Sequence, residues 1–304
     1  LEPYADALTW LEASDAYFAA SIDPEGVEIA IPVIWGIDAV HGHANLKGAV
    51  VFPHNIGLGA ANNPDLIEKI YTATAKELRV SGHDWTFAPT LAVPQNDRWG
   101  RTYEGFSESP DIVASYGDRI VYGLQGRIGD DDYLGAERVL TSAKHFVGDG
   151  GTADGVDQGD AQISEAELRD IHAAGYETAI AANAQTVMAS FSAWNGERMH
   201  GQKELLTDVL KGRMNFNGFV VGDWNGHALI PGCTATDCPE SFNAGVDMFM
   251  APDSWKGLWE STYAHVQSGE ITMERLDDAV RRILRVKIAA GLFDNPLTPS
   301  ARPL

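Results

Sequence analysis

The chain has 304 residues, 44% of them hydrophobic and 21% charged, which is the composition of an ordinary soluble globular protein and a normal length for one α/β barrel. No apolar run approaches the ~20 residues that a helix needs to cross a bilayer, so a membrane span is excluded. The net charge of −21 repels nucleic acid and anionic lipid, and it suits either a secreted protein with neutral substrates or solubility alone.

Short apolar or β-branched runs alternate with longer helical patterns, which predicts repeated βα units around a parallel sheet. The expected fold is a (β/α)8 TIM-like barrel, either complete or lacking its first unit at the N-terminus of this chain. Fewer than eight strands are clear from the sequence. The predicted strands, in chain order, are Ile31–Ile37, Trp85–Ala88, Val139–Phe146, Thr186–Phe191, Phe219–Gly222 and Met248–Ala251.

Four helices have clear start signals. Asn63 and Ser109 each precede a proline at the first helical position. Ser164 opens a Ser-Glu-Ala-Glu capping box, in which Ser and Glu satisfy each other's backbone N–H groups. Thr272 caps the last predicted helix, which is expected to run to Gly291.

The two ends of the chain predict that it is one domain of a longer protein. The first residue is Leu1 rather than Met, and no secretory leader pattern is present. The tail from Asn295 to Pro299 is typical of the start of an interdomain linker. We therefore expect residues 1–304 to be a catalytic barrel domain that is followed by a second domain.

The two cysteines, Cys233 and Cys238, lie close together in a polar loop. Two thiols without a nearby pair of histidines make a poor zinc site, so a small disulfide ring is favoured over a metal. A disulfide indicates an oxidising compartment, and with the acidic charge it predicts a secreted or periplasmic protein.

Polar side chains follow several predicted strands at the point where each strand ends. Asp38 follows the first, Lys144 and His145 end the third, and Asp223 with Trp224 follows the Phe219 strand. In α/β barrels the working residues lie at these carboxyl ends. Acids, bases and aromatic rings together suit a sugar, whose hydroxyls need charged partners and whose ring stacks on aromatics. Helix capping by Asp38, an ion pair of Lys144 with Asp223, and rim packing by Trp224 are the structural alternatives.

Six ordered segments resemble glycoside hydrolase family 3, and together they span the chain from Ile31 to Pro296. The resemblance implies a TIM-like barrel and a retaining mechanism through a covalent glycosyl-enzyme. The segments are Trp35–Gly42, Asp97–Arg101, Lys144–Phe146, Ser192–Gly196, Gly218–Trp224, and the closing helix Asp278–Leu284 with Gly291–Phe293.

The resemblance implies roles for individual residues. Asp223 is the nucleophile, and Trp224 stacks on the leaving-group sugar. Phe191 stands where many family members carry Tyr, so any contact that the Tyr hydroxyl makes is absent here. The residues expected to bind the terminal sugar are Asp38, Arg101, Lys144, His145, Met188 and Phe191.

The general acid/base is not assigned within this chain. One branch of the family uses an Asp-His pair in the loop after Lys144-His145, but here that loop has acids and no histidine. The loop resembles the glucosidase branch, whose acid/base is a Glu on a second α/β domain of the same polypeptide. Glu104 and Glu108 are local candidates, although a structural role is favoured for both.

The predicted function is an exo-acting β-glucosidase or exo-β-glucanase that releases glucose from β-glucan oligosaccharides without a cofactor. A β-xylosidase of the same family and a non-catalytic carbohydrate-binding module are the alternatives. A metal-dependent hydrolase built on Asp38, His41 and His43 is a weaker one. A serine hydrolase is disfavoured because the Gly-x-Ser-x-Gly elbow is missing, and no phosphate-binding glycine motif is present.

Overall fold

The computed structural model describes residues 4–26, 28–294 and 298–302. Its centre is a five-stranded parallel sheet in the order β1-β2-β3-β5-β8. A smaller sheet pairs β4 parallel to β6 and β6 antiparallel to β7. The strands are β1 Gly36–Ile37, β2 Trp85–Thr86, β3 Leu140–Phe146, β4 Asp160–Ala161, β5 Thr186–Ala189, β6 Ala193–Trp194, β7 Glu197–Arg198 and β8 Phe219–Val221.

The parallel strands follow one another in chain order, each joined to the next by helical segments, which confirms the predicted α/β barrel architecture. Trp85 pairs with both Gly36 and Leu140, and Thr186 pairs with Phe219. A parallel bridge from Val221 to Met248 extends the arc by one position. All carboxyl ends of these strands therefore lie at one edge.

Two predicted strands are wrong in extent. Only Gly36–Ile37 of the predicted Ile31–Ile37 strand is β-structure, because Pro32 has no N–H for a ladder and its carbonyl instead accepts from Lys287 Nζ at 2.6 Å. The predicted Met248–Ala251 strand is reduced to the single bridge at Met248. The other four strands form but are shorter than predicted, since residues at their ends leave the ladder to enter the loops.

The helices that flank the sheet begin at the predicted caps. The Asn63 side chain accepts from the Leu66 N–H, the Ser164 capping box is formed, and Thr272 accepts from the Arg275 N–H. The predicted helix after Ser164 is divided into α5, a π-helical segment at Leu168–His172, and α6. The predicted helices are α3 Pro64–Val80, α4 Pro110–Gln125, α5 Glu165–Glu167, α6 Ala174–Ala181 and α9 Met273–Ala289.

Further helices carry weaker start signals and were not predicted. None of the described helices has the length and apolar character for spanning a membrane. The unpredicted helices are α1 Ala7–Ile22, α2 Asn55–Ala60, α7 Pro239–Ala244, α8 Trp255–Ser268 and the π-helical Glu204–Arg213, with short 3-10 turns at Thr102–Glu104, Asp149–Gly151, Ala153–Gly155, Met199–Gly201, Gly226–Leu229 and Pro299–Ala301.

Helix α4 is the centre of the outer layer, because it packs against both α3 and α6. Close approach to α3 requires Gly123, where a Cβ atom would lie 2.6 Å from the Glu68 carbonyl oxygen. Apolar side chains such as Tyr71, Tyr116 and Tyr176 fill the space beneath the helices and are fully buried. This rigid layer holds the strand ends that carry the polar residues.

The tail predicted to start a linker lies partly outside the described residues, at 295–297. The part that is described folds back on the domain. Pro299 is buried, and the Ser300 N–H donates to Asp15 Oδ1 on α1 at 3.0 Å. Residues 299 and 300 therefore contact the domain, and the prediction that an interdomain linker starts in this tail stays a prediction.

Candidate active site

A cavity of 420 Å³ opens at the carboxyl edge of the sheet. It brings together seven of the residues predicted from the sequence: Asp38, Arg101, Lys144, His145, Met188, Asp223 and Trp224. Phe191 does not line it. The remaining lining residues, which the sequence did not single out for sugar binding, include Val40, His41, Asn45, His54, Phe87, Tyr103, Glu104 and Met250.

Lys144 pairs with Asp38 across the cavity floor. Lys144 comes from β3 and is only 4% exposed, and its Nζ donates to Asp38 Oδ1 at 2.5 Å. The Asp38 side chain is 60% exposed, so its second oxygen faces the cavity. Two of the structural alternatives considered from the sequence are not observed. Asp38 caps none of the described helices, and Lys144 is bonded to Asp38 rather than to Asp223.

Arg101 and Glu104 form a two-pronged ion pair. The Arg101 Nε and Nη2 atoms donate to the two Glu104 oxygens at 2.7 and 2.9 Å. Burial lowers the pKa of Arg101, but Glu104, Asp149 and Asp223 outweigh it and raise that pKa above its ordinary value. Burial likewise raises the pKa of Glu104, and Arg101 with Lys144 and His145 outweighs it, so that the net pKa is lowered.

The paired state of Glu104 makes it a poor proton donor, because both oxygens are occupied and the carboxyl stays ionised. Glu108 is exposed and lines a different groove, next to Ile112 and Pro94. Both glutamates therefore have the structural positions that the sequence favoured for them.

His145 is held between two charged partners, and these fix its proton. Its Nε2 lies 3.0 Å from Arg101 Nη2, and its Nδ1 lies 2.8 Å from Asp149 Oδ2. A guanidinium group only donates, so Nε2 accepts and the proton is on Nδ1, facing Asp149. Asp149 was missed as a site residue. The sequence feature that could have identified Asp149 is its position in the acidic loop, four residues after His145.

Asp223 is the least satisfied carboxylate of the site. It is 8% exposed and directly follows β8. Its Oδ1 accepts from the Trp224 N–H at 2.7 Å. Its Oδ2 is buried with no hydrogen-bond partner among the described residues, and it lies 3.7 Å from His145 Nε2. Such an atom is costly to bury unless a bound group completes its contacts.

His200 fixes the backbone beneath Asp223 and was also missed, because no sequence motif marks it. The Asp223 N–H donates to His200 Nε2 at 2.9 Å, so this ring is neutral with Nε2 as the acceptor. Complete burial lowers the pKa of His200 to about 3. The ring packs so closely on Gly226 that a Cβ there would lie 2.3 Å from it.

The apolar residues of the site lie at three different depths. Met188, in β5, is 2% exposed and forms part of the cavity floor. Trp224 is 58% exposed at the mouth. Phe191 is half-buried behind the cavity with its ring centroid 6.3 Å from that of His200. Neither Phe191 nor His200 is among the residues that line the cavity, so the predicted contact of Phe191 with the sugar is not supported by its position.

The weaker metal-site hypothesis is not supported by the geometry. His43 is fully buried and bonded to Ser81 Oγ at 3.0 Å, and His41 Nδ1 is bonded to the Phe52 carbonyl at 2.8 Å. Asp38 is held by Lys144. Within residues 4–26, 28–294 and 298–302, the His, Cys and acidic side chains that cluster at metal-binding spacing are those of Cys233, Cys238 and Glu240. Those two cysteines are joined in a disulfide.

Comparison with known proteins decides the family. The sequence pattern described as Glycosyl hydrolase family 3 N terminal domain matches residues 5–286. The chain belongs to this family. A solved structure, the exo-1,3/1,4-beta-glucanase of a Pseudoalteromonas species, is 52% identical with a TM-score of 0.97, over 99% of this chain and 38% of the other.

Two curated relatives in the family are more distant in sequence. The Lysosomal beta glucosidase of Dictyostelium discoideum is 34% identical over 90% of this chain, and the Periplasmic beta-glucosidase of Salmonella typhimurium is 32% identical over 88%. The chain spans 34% of the length of each of these relatives. It thus corresponds to the N-terminal domain of the family.

Proposed function

We propose that this domain is the nucleophile-bearing half of a retaining, exo-acting β-glycosidase of the β-glucosidase or exo-β-glucanase type. The observation that carries the proposal is the buried Oδ2 of Asp223, which has no partner among the described residues, in a cavity whose other charged lining residues are paired. In a retaining mechanism this oxygen attacks the anomeric carbon of the sugar. The glycosidic bond breaks, and a covalent glycosyl-enzyme forms that water later hydrolyses.

The paired charges would bind the terminal sugar in the first subsite. The exposed oxygen of Asp38 and the amino group of Lys144 both lie on the floor and suit bidentate hydroxyl recognition. His145 presents its ring at the same level, with Asp149 fixing its orientation. Because these groups are already oriented by protein partners, little reorganisation accompanies binding.

The acid that protonates the leaving oxygen is proposed to come from a second α/β domain of the same polypeptide. It must lie about 5–5.5 Å from the nucleophile. The carboxylates lining the cavity within the described residues are Asp38, Glu104 and Asp223. Lys144 and Arg101 occupy the first two. The greater length of the curated relatives, of which this domain spans about a third, is consistent with a further domain.

β-Glucan oligosaccharides are the proposed substrates, with glucose as the sugar released and polysaccharide degradation as the wider role. The names of the Dictyostelium and Pseudoalteromonas relatives support glucosides as substrates. Glucosides differ from xylosides by one hydroxymethyl group on the sugar ring, and the choice between them depends on how the site accommodates that group. A carbohydrate-binding module is disfavoured, since Asp223 Oδ2 has no partner among the described residues and is costly to bury, a cost that the role of nucleophile explains. The disulfide and the periplasmic relative support a secreted or periplasmic location.

The test is to trap the intermediate on the natural full-length polypeptide. A 2-fluoro-β-glucoside with an activated leaving group should label the peptide that carries Asp223, as read by peptide mass mapping. The Asp223→Asn variant is the control and should take no label. The matching 2-fluoro-β-xyloside reports the alternative sugar, and faster labelling by it would favour a β-xylosidase. Turnover of the natural substrate with label on another peptide, or with none, would contradict the assignment.

A further inference from the structure

A disulfide closes residues 233–238 into a small ring, the disulfide ring, which contacts the turn that follows β8. Cys238 is 3% exposed, and its Sγ lies 3.4 Å from the carbonyl oxygen of His227. Within the ring, Thr234 and Asp237 pair as an antiparallel bridge. The disulfide ring is therefore an internally bonded element that packs against the neighbouring turn.

Residues 223–229, the nucleophile turn, are shaped by backbone hydrogen bonds. The Gly226 N–H donates to the Asp223 carbonyl at 2.9 Å. The Asp223 Oδ1 accepts from Trp224 within the same turn, and its Oδ2 has no partner among the described residues. The position of the reactive oxygen therefore depends on how this turn is held, because that oxygen has no hydrogen bond of its own there.

His227 connects the nucleophile turn to the disulfide ring. It is 1% exposed, and its Nε2 lies 3.0 Å from the Ala235 carbonyl oxygen. A carbonyl only accepts, so Nε2 carries the proton and donates. Burial lowers the pKa of His227, and the bond to Ala235 opposes this only in part, so the imidazole stays neutral. The Phe249 ring packs on the imidazole with centroids 5.0 Å apart, and the orientation of His227 is thus fixed.

Helix α8 contacts the disulfide ring at positions other than those that meet His227. The Ser261 Oγ donates to the Thr236 carbonyl at 2.7 Å, and His265 Nε2 lies 2.6 Å from Asp237 Oδ1. Gly257 permits this approach, since a Cβ atom there would lie 2.9 Å from the Thr236 side chain. The disulfide ring therefore links an outer helix to the nucleophile turn.

We propose that the disulfide ring positions the nucleophile: through His227 it holds the nucleophile turn, and opening the ring slows the attack of Asp223 on the sugar. Closure matters because this partly exposed segment gains conformational freedom once it is open, and the Ala235 carbonyl that the imidazole binds is then no longer fixed. A displacement of about 1 Å near a reacting group can cost about 100-fold in rate. The inference rests on the proposed function, because it takes Asp223 as the nucleophile.

The experiment opens the ring in the full-length enzyme by combining Cys233→Ser with Cys238→Ser, so that no free thiol is left at this site. The readout is the rate at which the activated 2-fluoro-β-glucoside labels the Asp223 peptide, because labelling reports the attack step. We expect the maximal labelling rate to fall about 5- to 50-fold, while the probe concentration at half-maximal rate changes less than about threefold. A purely structural disulfide would lower the unfolding temperature and leave the labelling rate of the folded molecules unchanged.

Variants of His227 test the path from the ring to the nucleophile. His227→Gln keeps an N–H donor for the Ala235 carbonyl and should label within about threefold of wild type, whereas His227→Leu removes the donor and should lose about as much as the opened ring. Because both changes break one path, His227→Leu in the opened ring should cost little more than either change alone. Thr234→Ala is the matched control: this exposed residue bonds Thr236 within the ring, and the labelling rate should stay unchanged.

Wild-type labelling by the folded double-cysteine variant would overturn the proposal, and so would losses that multiply when His227→Leu is added. If the opened ring does not fold, the contrast between His227→Gln and His227→Leu decides, and equal labelling rates in these two variants would overturn the proposal. Wild-type enzyme that takes no label on the Asp223 peptide would instead overturn the proposed function itself.

Discussion

Two buried aspartates lie close to strand β8, and their hydrogen bonding differs. Asp247, which comes from the segment after α7, is fully satisfied: its Oδ1 accepts from Lys211 and Arg275, each at 2.7 Å, and its Oδ2 accepts from the Val220 N–H at 2.8 Å. Asp223, which follows the carboxyl end of β8, has one oxygen bonded and one without a partner among the described residues. Both are under 10% exposed, so burial alone does not distinguish a structural acid from a reactive one. What distinguishes Asp223 is that it lines a cavity and that its Oδ2 has no hydrogen-bond partner among the described residues.

Removing the charge of Asp223 should have the largest effect. We expect Asp223→Asn to lower kcat/KM about 10⁴-fold, since the amide is not a competent nucleophile. The unfolding temperature should stay the same or rise, because the variant removes the charge of a carboxylate whose Oδ2 is buried without a partner among the described residues. Steady-state kinetics on the full-length enzyme measure the loss of activity, and calorimetry measures the unfolding temperature. Residual activity within tenfold of wild type would contradict the role of Asp223 as the nucleophile.

Removing the charge of Asp247 should affect stability rather than chemistry. Asp247→Asn leaves Lys211 and Arg275 buried without their shared carboxylate, at a cost of about 3–5 kcal/mol in unfolding free energy. The activity of the molecules that remain folded should stay near wild type. Urea unfolding with an activity titration separates the two, and a stable but inactive variant would contradict a purely structural role.

Loss of His200 should have a smaller effect on turnover. His200→Ala frees the backbone N–H of Asp223 and lets the carboxylate shift, so we expect kcat to fall about 10- to 100-fold with little change in KM. His200→Gln offers an amide oxygen as acceptor and should recover part of that loss. A rise in KM with unchanged kcat would mean that His200 shapes substrate binding instead.

The buried histidines His43 and His83 should make the stability of the fold sensitive to acid. His43 Nδ1 and His83 Nε2 have no partner among the described residues, and burial lowers the two pKa values to about 4 and about 3. The unfolded chain binds protons near pH 6.5 and the folded one does not. The stability is therefore complete above pH 6.5 and falls as pH drops towards 4.

The expected slope is at most about 1.4 kcal/mol per pH unit for each histidine. Urea unfolding between pH 4 and 7 measures it, and the slope should flatten in His43→Asn. A stability independent of pH over this range would show that the folded rings take up protons as readily as the unfolded ones.

Much of the fold was predictable because its signals are local. The caps at Asn63, Ser164 and Thr272 each act within four residues, and five of the six strand positions follow from short apolar runs. Of the predicted Met248–Ala251 strand only Met248 forms a bridge, to Val221, since its neighbour β8 itself ends at Val221. The site residues from Asp38 to Trp224 were found from strand ends and motifs, whereas Asp149, His200 and Tyr103 lie in turns without a periodic signal.

The sequence by itself determined the family, the repeated βα units and which side chains follow the carboxyl ends of strands, because periodicity, caps and motifs depend on neighbouring residues. Only the tertiary structure decided the partners of those side chains. Lys144 binds Asp38 across 106 positions, and His145 meets an arginine 44 positions away. Coulombic and hydrogen-bond energies depend on distances of a few ångströms. Such distances are set by how the whole barrel packs. The same packing leaves one oxygen of Asp223 without a partner among the residues that the structure describes.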